Sequence, residues 1–313
     1  MNTGISNPSY AQPNICLYNA DNKDVMANLQ DENVDVILTD PPYLYLKGQK
    51  LEREFDERKF FSECKRVLTK NGFIVLFGRG TSFYRWNTIL DELGFNFKEE
   101  IIWNKRRASS PVLAISRVHE TISIFSKGKG AINNVKVPYG ELKAFDQDKV
   151  YEDIKRLGGL FNKGKVYEKV VEDLKSYSET GSVKEFGLAN TNYRTTCQTR
   201  TPRRNVSTYT LIAMEEGLRE QSIVNCADSH YGNIHPTQKP VRLLERLLAL
   251  VIPKDKPREE ITVLDPFGGS FSTMEAVYNM QMQGISCEID KEYFESGKNR
   301  IENLPPIQTN LFD

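Results

Sequence analysis

The sequence predicts an α/β protein: a doubly wound, mostly parallel sheet with a subdomain inserted into it. Short apolar runs alternate with segments whose apolar residues recur every three or four positions, over about residues 15 to 128 and again from about 222 to the end. Between them, from about 129 to 221, that texture gives way to glycine-punctuated, charged sequence. Alternating strands and helices imply parallel strands joined by helical crossovers and covered on both faces. Each block alone carries few strands, so one sheet built from both is expected, with 1–128 and 222–313 as two parts of one domain around an insert at 129–221.

In chain order, ICLYNA (15–20), VDVILTD (34–40), GFIVLFG (72–78), FKEEIIWN (97–104) and ETISIFS (120–126) read as strands. ERKFFSECKRVL (57–68) and FYRWNTILDEL (83–93) have the spacing of helices lying on a sheet. The insert holds two helical patterns, DQDKVYEDIKRL (146–157) and KVYEKVVEDLKSY (165–177), then a threonine- and arginine-rich tract, NYRTTCQTRTPRRN (192–205). The second block adds helix VRLLERLLALVI (241–252), strand ITVLDPF (261–267), a helix from about Ser272, strand GISCEID (284–290) and helix KEYFESGKNRIENL (291–304).

With 313 residues, 39% of them hydrophobic, the chain can bury a substantial core. Lysine plus arginine equals aspartate plus glutamate, 42 each, so a nucleic-acid surface would have to come from local clustering. The five cysteines form no CxxC pair and have no histidine at ligand spacing, which argues against a metal site or a disulfide framework. No run approaches the roughly 18 apolar residues that span a bilayer, and the polar N-terminus lacks an apolar signal core. A reducing, cytoplasmic setting is expected.

Open α/β sheets bind ligands beyond the carboxyl ends of their strands, near the point where strand order reverses. Two predicted strands end there in an acid: ILTD at Asp40 and TVLD at Asp265. After Asp265, the turn DPFGGSFS lets Gly268 and Gly269 take backbone conformations that a side chain resists, and a helix N-terminus follows. Glu288, about twenty residues on, ends the next strand, where a carboxylate accepts both ribose hydroxyls in sheets of this type. Without GxGxxG, a nucleoside ligand lacking pyrophosphate fits better than a dinucleotide. An ordinary strand–turn–helix with an exposed acid fits the same residues.

After Asp40, Pro41 and Pro42 remove two donors and stiffen the chain, leaving carbonyls free to accept. With the Asp40 carboxylate, this corner can bind both hydrogens of an exocyclic amine, and Tyr43 offers a face for a planar base. Taken alone, the four residues also describe a capped strand end.

TDPPY together with DPFGGS, HPTQKPVRLLERL and HETISIFSKGK resembles the amino-methylating DNA methyltransferases that use S-adenosylmethionine. The order, catalytic motif before cofactor motif with recognition sequence between, resembles their β group; the resemblance covers about 15 to 128 and 222 to 303 and leaves the insert unmatched. It implies a Rossmann-like methyltransferase sheet, with 1–128 carrying the target-amine site, 129–221 a target-recognition region and 222–313 the cofactor site. It further implies that Asp40, Pro41, Pro42 and Tyr43 form the target-amine corner. Asp265, Phe267, Gly269 and Ser270 would hold the cofactor, Glu288 its ribose hydroxyls, and Asp21, in LYNADN, would sit beside its adenine. His235, Thr237, Gln238, Lys239 and Pro240 match a segment closing over the methionine end, where Lys239 could pair with the cofactor carboxylate. Relatives usually carry a glycine where this chain has Phe271. Either the loop is already helical there or the pocket is reshaped.

Aspartate as the first residue of the corner resembles the adenine-N6 subgroup more than the cytosine-N4 subgroup. The implied reaction is methyl transfer from S-adenosylmethionine to N6 of an adenine flipped out of duplex DNA. No metal is implied. Double-stranded DNA is the expected partner, with a homodimer and a cognate restriction endonuclease left open, in a prokaryotic or phage-infected cytoplasm. DNA contact is expected at Lys105, Arg106 and Arg107, in WNKRRASS, and at Arg200, Arg203 and Arg204, in TRTPRRN. Three other readings stand beside this one: a cytosine-N4 enzyme, a methyltransferase for RNA or a protein amide, and a catalytically inert DNA-binding protein.

Overall fold

A computed structural model describes residues 7–43, 53–106, 114–161, 175, 203–227 and 238–306. These divide into two compact units, Met1–Asn133 with Gln221–Asp313, and Asn134–Glu220.

The first unit is built on a nine-stranded sheet that takes strands from both ends of the chain. Its strands are β1 (Tyr10–Ala11), β2 (Ile15–Tyr18), β3 (Val34–Thr39), β4 (Leu68–Gly78), β5 (Asn96–Asn104), β6 (His119–Ser126), β9 (Ile223–Asn225), β10 (Thr262–Asp265) and β11 (Gln283–Cys287). Their order across the sheet is β1-β2-β11-β10-β3-β4-β6-β5-β9. Neighbours from β2 to β4 pair in parallel, as do β5 and β9, whereas β6 is antiparallel to both β4 and β5 and β1 is antiparallel to β2. The exception at β6 has a simple cause. A parallel return needs a crossover, usually a helix, and nothing in the sequence between β5 and β6 reads as one.

Apolar spacing decides which helices cover the sheet. Phe60, Phe61, Cys64 and Val67 place one buried stripe along Glu57–Val67, and each large apolar side chain so buried contributes about 1.5–3 kcal/mol relative to exposure. Together with Val25 and Met26 from Asn22–Ala27 and Trp86 and Leu90 from Gly80–Glu92, they pack on Ile37, Ile74, Leu76, Leu264 and Ile285. Alternate strand residues such as Val36 and Leu38 point the other way. On that side Val241–Val251 contacts Ser272–Asn279 and β3, and Lys291–Glu302 contacts Ser272–Asn279. Asp56 and Asp290 cap their helices by accepting amide hydrogens, Asp56 from Lys59 at 3.0 Å and Asp290 from Glu292 at 3.0 Å.

One buried charge interrupts the apolar run of β3. The Asp35 carboxylate accepts from Lys256 Nζ at 2.6 Å and from the Thr262 amide at 2.8 Å, which satisfies a costly buried group and ties β3 to the start of β10.

In the second unit, β7 (Lys136–Val137) pairs antiparallel with β8 (Leu218–Arg219), beside helices Tyr139–Lys143, Gln147–Phe161 and Arg203–Glu216. The last helix grows from the tail of the threonine- and arginine-rich tract. Its β-branched residues, Val206, Thr208, Thr210 and Ile212, weaken the helical signal, and burial of Thr210, Ile212 and Ala213 favours the helix instead. The pattern at 165–177 lies outside the described residues apart from Lys175. Among the described residues no helix is long and apolar enough to cross a membrane.

Candidate active site

β3 and β10 are neighbours in parallel register, Val36 opposite Val263 and Ile37 opposite Leu264. Asp40, one residue past β3, and Asp265, the last residue of β10, therefore emerge at the same rim and line one cavity of about 410 Å³.

Asp265 is buried. It accepts from the Phe267 amide at 3.1 Å and from the Thr273 hydroxyl. Burial is the main cause pushing its carboxyl up to about 7; those hydrogen bonds oppose the shift, while the charges of Asp40 and Glu288 add to it. Glu288 is raised by burial as well, against amide hydrogen bonds from Asp290 at 2.7 Å and Gly269 at 2.9 Å. The loop after Asp265 thus already presents an amide to the Glu288 carboxylate, with Gly269 at φ 53°.

Phe271 is not helical. It occupies the left-handed region, φ 54° and ψ 29°, directly before Ser272–Asn279, and its fully buried ring stands edge-on to Phe294 at 5.8 Å. Room for that ring comes from glycine: a Cβ on Gly268 would lie 2.3 Å from Phe271 Cε1 and 2.5 Å from Ser286 Oγ.

At the other side of the cavity, Tyr43 Oη donates to Asp40 Oδ1 and Lys239 Nζ donates to Asp40 Oδ2. The Tyr43 carbonyl accepts from Ser82 Oγ at 2.6 Å, and its ring lies 6.0 Å from that of Trp86. Aromatic contacts continue from Trp86 to Phe55 at 6.3 Å and from Phe55 to Phe267 at 5.4 Å, an apolar wall joining the Asp40 corner to the Asp265 loop. Pro41 and Pro42 line the cavity between them.

Lys239 also lines the cavity. Its buried ammonium is held by protein carboxylates, Asp40 and, at 3.3 Å, Glu120. Burial would lower its pKa, but the charges of Asp40 and Glu120 outweigh it and raise the value. Lys105, expected at the DNA surface, is buried instead. It is 8% exposed and ion-paired with Glu120, so its charge is spent inside the protein rather than offered to phosphate.

Of the remaining expected residues, Asp21 lines the cavity and accepts from the Lys23 amide at 3.0 Å. Gln238 and Ser270 also line it, the Ser270 hydroxyl sharing a hydrogen bond with that of Ser272 at 2.8 Å. Arg106 is exposed, at φ 64°. His235, Thr237, Arg107 and Arg200 lie outside the described residues, as do the side chains of Arg203 and Arg204, which open helix Arg203–Glu216. Glu120 and Thr273 join the site without having been expected in it. The sequence signal for Glu120 is a charge near the start of a strand whose later residues alternate isoleucine with small polar side chains.

A family model described as DNA methylase matches residues 34–299. The chain belongs to that family. It is an S-adenosylmethionine-dependent DNA amino-methyltransferase. The type II methyltransferase M.HpaI of Haemophilus parainfluenzae is 24% identical over 291 residues, covering 89% of this chain and 71% of its own. M2.LlaDCHI of Lactococcus lactis subsp. cremoris is 22% identical over 319 residues, covering 95% and 93%. Among solved structures, PvuII DNA methyltransferase (cytosine-N4-specific) superposes with a TM-score of 0.57 at 15% identity, over 96% of this chain and 91% of that one. The M1.HpyAVI complex with S-adenosylmethionine gives 0.52 at 19% identity, over 91% and 99%. These likenesses establish a shared methyltransferase fold.

The lining of the cavity fits the methyltransferase's cofactor. Asp21, Asp265 and Glu288 are acceptors suited to ribose hydroxyls and to a ligand carrying ammonium and sulfonium charge, and they would repel a phosphate. A volume of about 410 Å³ is of the size small-molecule sites have.

Proposed function

We propose that this methyltransferase modifies the exocyclic N6 of adenine in double-stranded DNA, on a nucleotide turned out of the helix. The observation that supports the reading is the shared rim: parallel pairing of β3 and β10 brings the Asp40–Tyr43 corner and the loop after Asp265 onto one cavity. When bound, S-adenosylmethionine supplies a methyl group on positively charged sulfur, already an activated electrophile. The protein's task is then positioning and charge dispersal.

Asp40 and the Pro41 carbonyl accept the amino hydrogens and turn the nitrogen lone pair, otherwise delocalised into the ring, toward the methyl carbon. Tyr43 supports the base, repaying part of the few kcal/mol that unstacking costs. Asp265, Phe267, Gly269 and Ser270 hold the cofactor, Glu288 takes its ribose hydroxyls, and Asp21 lies beside its adenine. Gln238, with His235 and Thr237, closes the methionine end. Arg106, Arg107, Arg200, Arg203 and Arg204 contact DNA, and the unit Asn134–Glu220 belongs to target recognition. The aspartate that opens the corner favours adenine, through resemblance to the adenine-N6 subgroup.

Mass analysis of nucleosides from DNA incubated with the protein and S-adenosylmethionine tests this. N6-methyldeoxyadenosine is expected. N4-methyldeoxycytidine would move the assignment to cytosine, and unmodified DNA would refute it.

A further inference from the structure

We propose that Glu120 and Lys105 are positioning residues of the methyl-accepting pocket, holding the Lys239 ammonium against Asp40 and so fixing the carboxylate that orients the target amine. The proposal rests on the role given to Asp40 above and extends it to two residues that have no place in that mechanism.

Four charged groups form a line of ion pairs at the cavity: Asp40, Lys239 and Glu120, which line it, and Lys105, which pairs with Glu120. Their signs alternate, so the line is neutral as a whole. Lys239, Glu120 and Lys105 have side chains only 9, 11 and 10% exposed, against 22% for Asp40 at the open end. An ion taken so far from water is tolerated only when partners hold it. Aromatic faces close the walls, with Lys239 Nζ 5.1 Å from the centre of the Phe77 ring and Lys105 Nζ 5.0 Å from that of Trp103. Trp103 is itself anchored, its Nε1 donating to the Cys226 carbonyl at 2.8 Å.

Sheet topology explains how an acid reaches this spot. β6 runs against its neighbours, so its first residues, rather than its last, arrive at the rim where β3 and β10 end. Glu120 stands opposite Trp103 in that register, at the level where β5 ends. A parallel strand in the same place would have put its C-terminal Ser126 at the rim.

The consequence for Asp40 is steric and electrostatic together. A lone lysine on a flexible four-carbon stem would follow whatever carboxylate or water is nearest. Held by Glu120 as well, Lys239 keeps its charge beside Asp40, whose Oδ2 takes the ammonium while Oδ1 takes the Tyr43 hydroxyl. A carboxylate has about four acceptor sites, so both oxygens keep capacity for amino hydrogens. Burial opposes ionisation of Glu120, but the charges of Lys239 and Lys105 outweigh it and hold its carboxyl below the usual range, consistent with a permanently charged spacer.

The test compares wild type with Glu120→Gln, Glu120→Asp and the double variant Glu120→Gln/Lys105→Met, all as full chains. The double variant removes a complete ion pair and keeps the line neutral, so it should fold even if Glu120→Gln alone fails to. Single-turnover methylation of duplex DNA should fall at least about tenfold in Glu120→Gln and in the double variant, as small displacements of reacting groups do. Glu120→Asp should recover part of the loss, and the dissociation constant for S-adenosylmethionine should stay within about twofold. A second readout needs neither cofactor nor DNA. In ¹⁵N spectra of the free protein, a slowly exchanging lysine ammonium signal, assigned by its loss in Lys239→Met, should vanish in the double variant. Wild-type methylation rates in a folded double variant would overturn the proposal while leaving the proposed function intact; failure of the wild type to methylate DNA would sink both.

Discussion

Phe271 and Gly297 share one space: a Cβ on Gly297 would lie 2.7 Å from Phe271 Cδ2, 3.1 Å from the Ser270 carbonyl carbon and 3.2 Å from the Gly269 oxygen. Helix Lys291–Glu302 therefore lies against the loop after Asp265 at its one residue without a side chain. Gly297→Ala should force ring and loop apart, costing about 1–3 kcal/mol in chemical denaturation, and should weaken S-adenosylmethionine binding because Gly269 and Ser270 move with the ring. Adding Phe271→Leu should restore part of both. An unchanged midpoint and affinity would mean that the contact is slack.

Replacing Phe271 itself sets two effects against each other. A non-glycine residue in the left-handed region costs about 1–2 kcal/mol, which Phe271→Gly would release. Removing a fully buried phenylalanine costs about 3–5 kcal/mol, and the core loses the edge-on contact with Phe294. Packing wins by magnitude, so Phe271→Gly should be less stable by about 1–4 kcal/mol in a denaturant titration. Cofactor binding by the wild type is expected intact, since the phenylalanine adopts the conformation a glycine would have taken.

At Asp40, truncation removes the proposed acceptor for the target amine and a partner of Lys239. Asp40→Ala should lower single-turnover methylation at least about a hundredfold, the range seen when one preorganised polar group is lost. Glu120 remains to hold Lys239, so the variant should fold and bind S-adenosylmethionine. Substantial residual transfer would remove Asp40 from the amine-orienting role.

Much of this is legible in the sequence, and what is not has physical causes. Strands β2, β3, β10 and β11 are buried along nearly their whole length because both their faces are covered, and the short apolar stretches this demands announce themselves. That Asp40 and Asp265 follow strands was equally plain; that the two strands are neighbours depends on pairing across more than two hundred residues, which no local pattern encodes. Asp35 illustrates the difference. Inside VDVILTD it looks like a flaw in an apolar run, and only its partners Lys256 and Thr262 reveal it as the tie between β3 and β10. Lys105 sits in a basic cluster, and clusters are read as surface; the carboxylate that takes it inward, Glu120, lies across an antiparallel pairing that alternation of strands and helices does not foretell. Short elements such as β1, β9 and helix Asn22–Ala27 carry too few residues to show a period.

The Asp265 carboxyl, pushed up to about 7 by burial and by the charges of Asp40 and Glu288, links pH to both stability and cofactor binding. In the unfolded chain its value is an ordinary 3.8, so between about pH 4 and 7 the native ligand-free protein holds a proton that the unfolded chain has released. That contribution to stability is complete below the unfolded value and is lost as pH rises through the folded one. Binding runs the other way. A cationic ligand favours the ionised carboxylate, so affinity for S-adenosylmethionine should climb as pH rises from about 5.5 to 7, with a proton released on binding in that window. Titration calorimetry in buffers of different ionisation enthalpy measures both quantities. Asp265→Asn should bind more weakly and lose most of the slope, leaving what Glu288, also raised, contributes. Equal slopes in wild type and Asp265→Asn would assign the proton elsewhere.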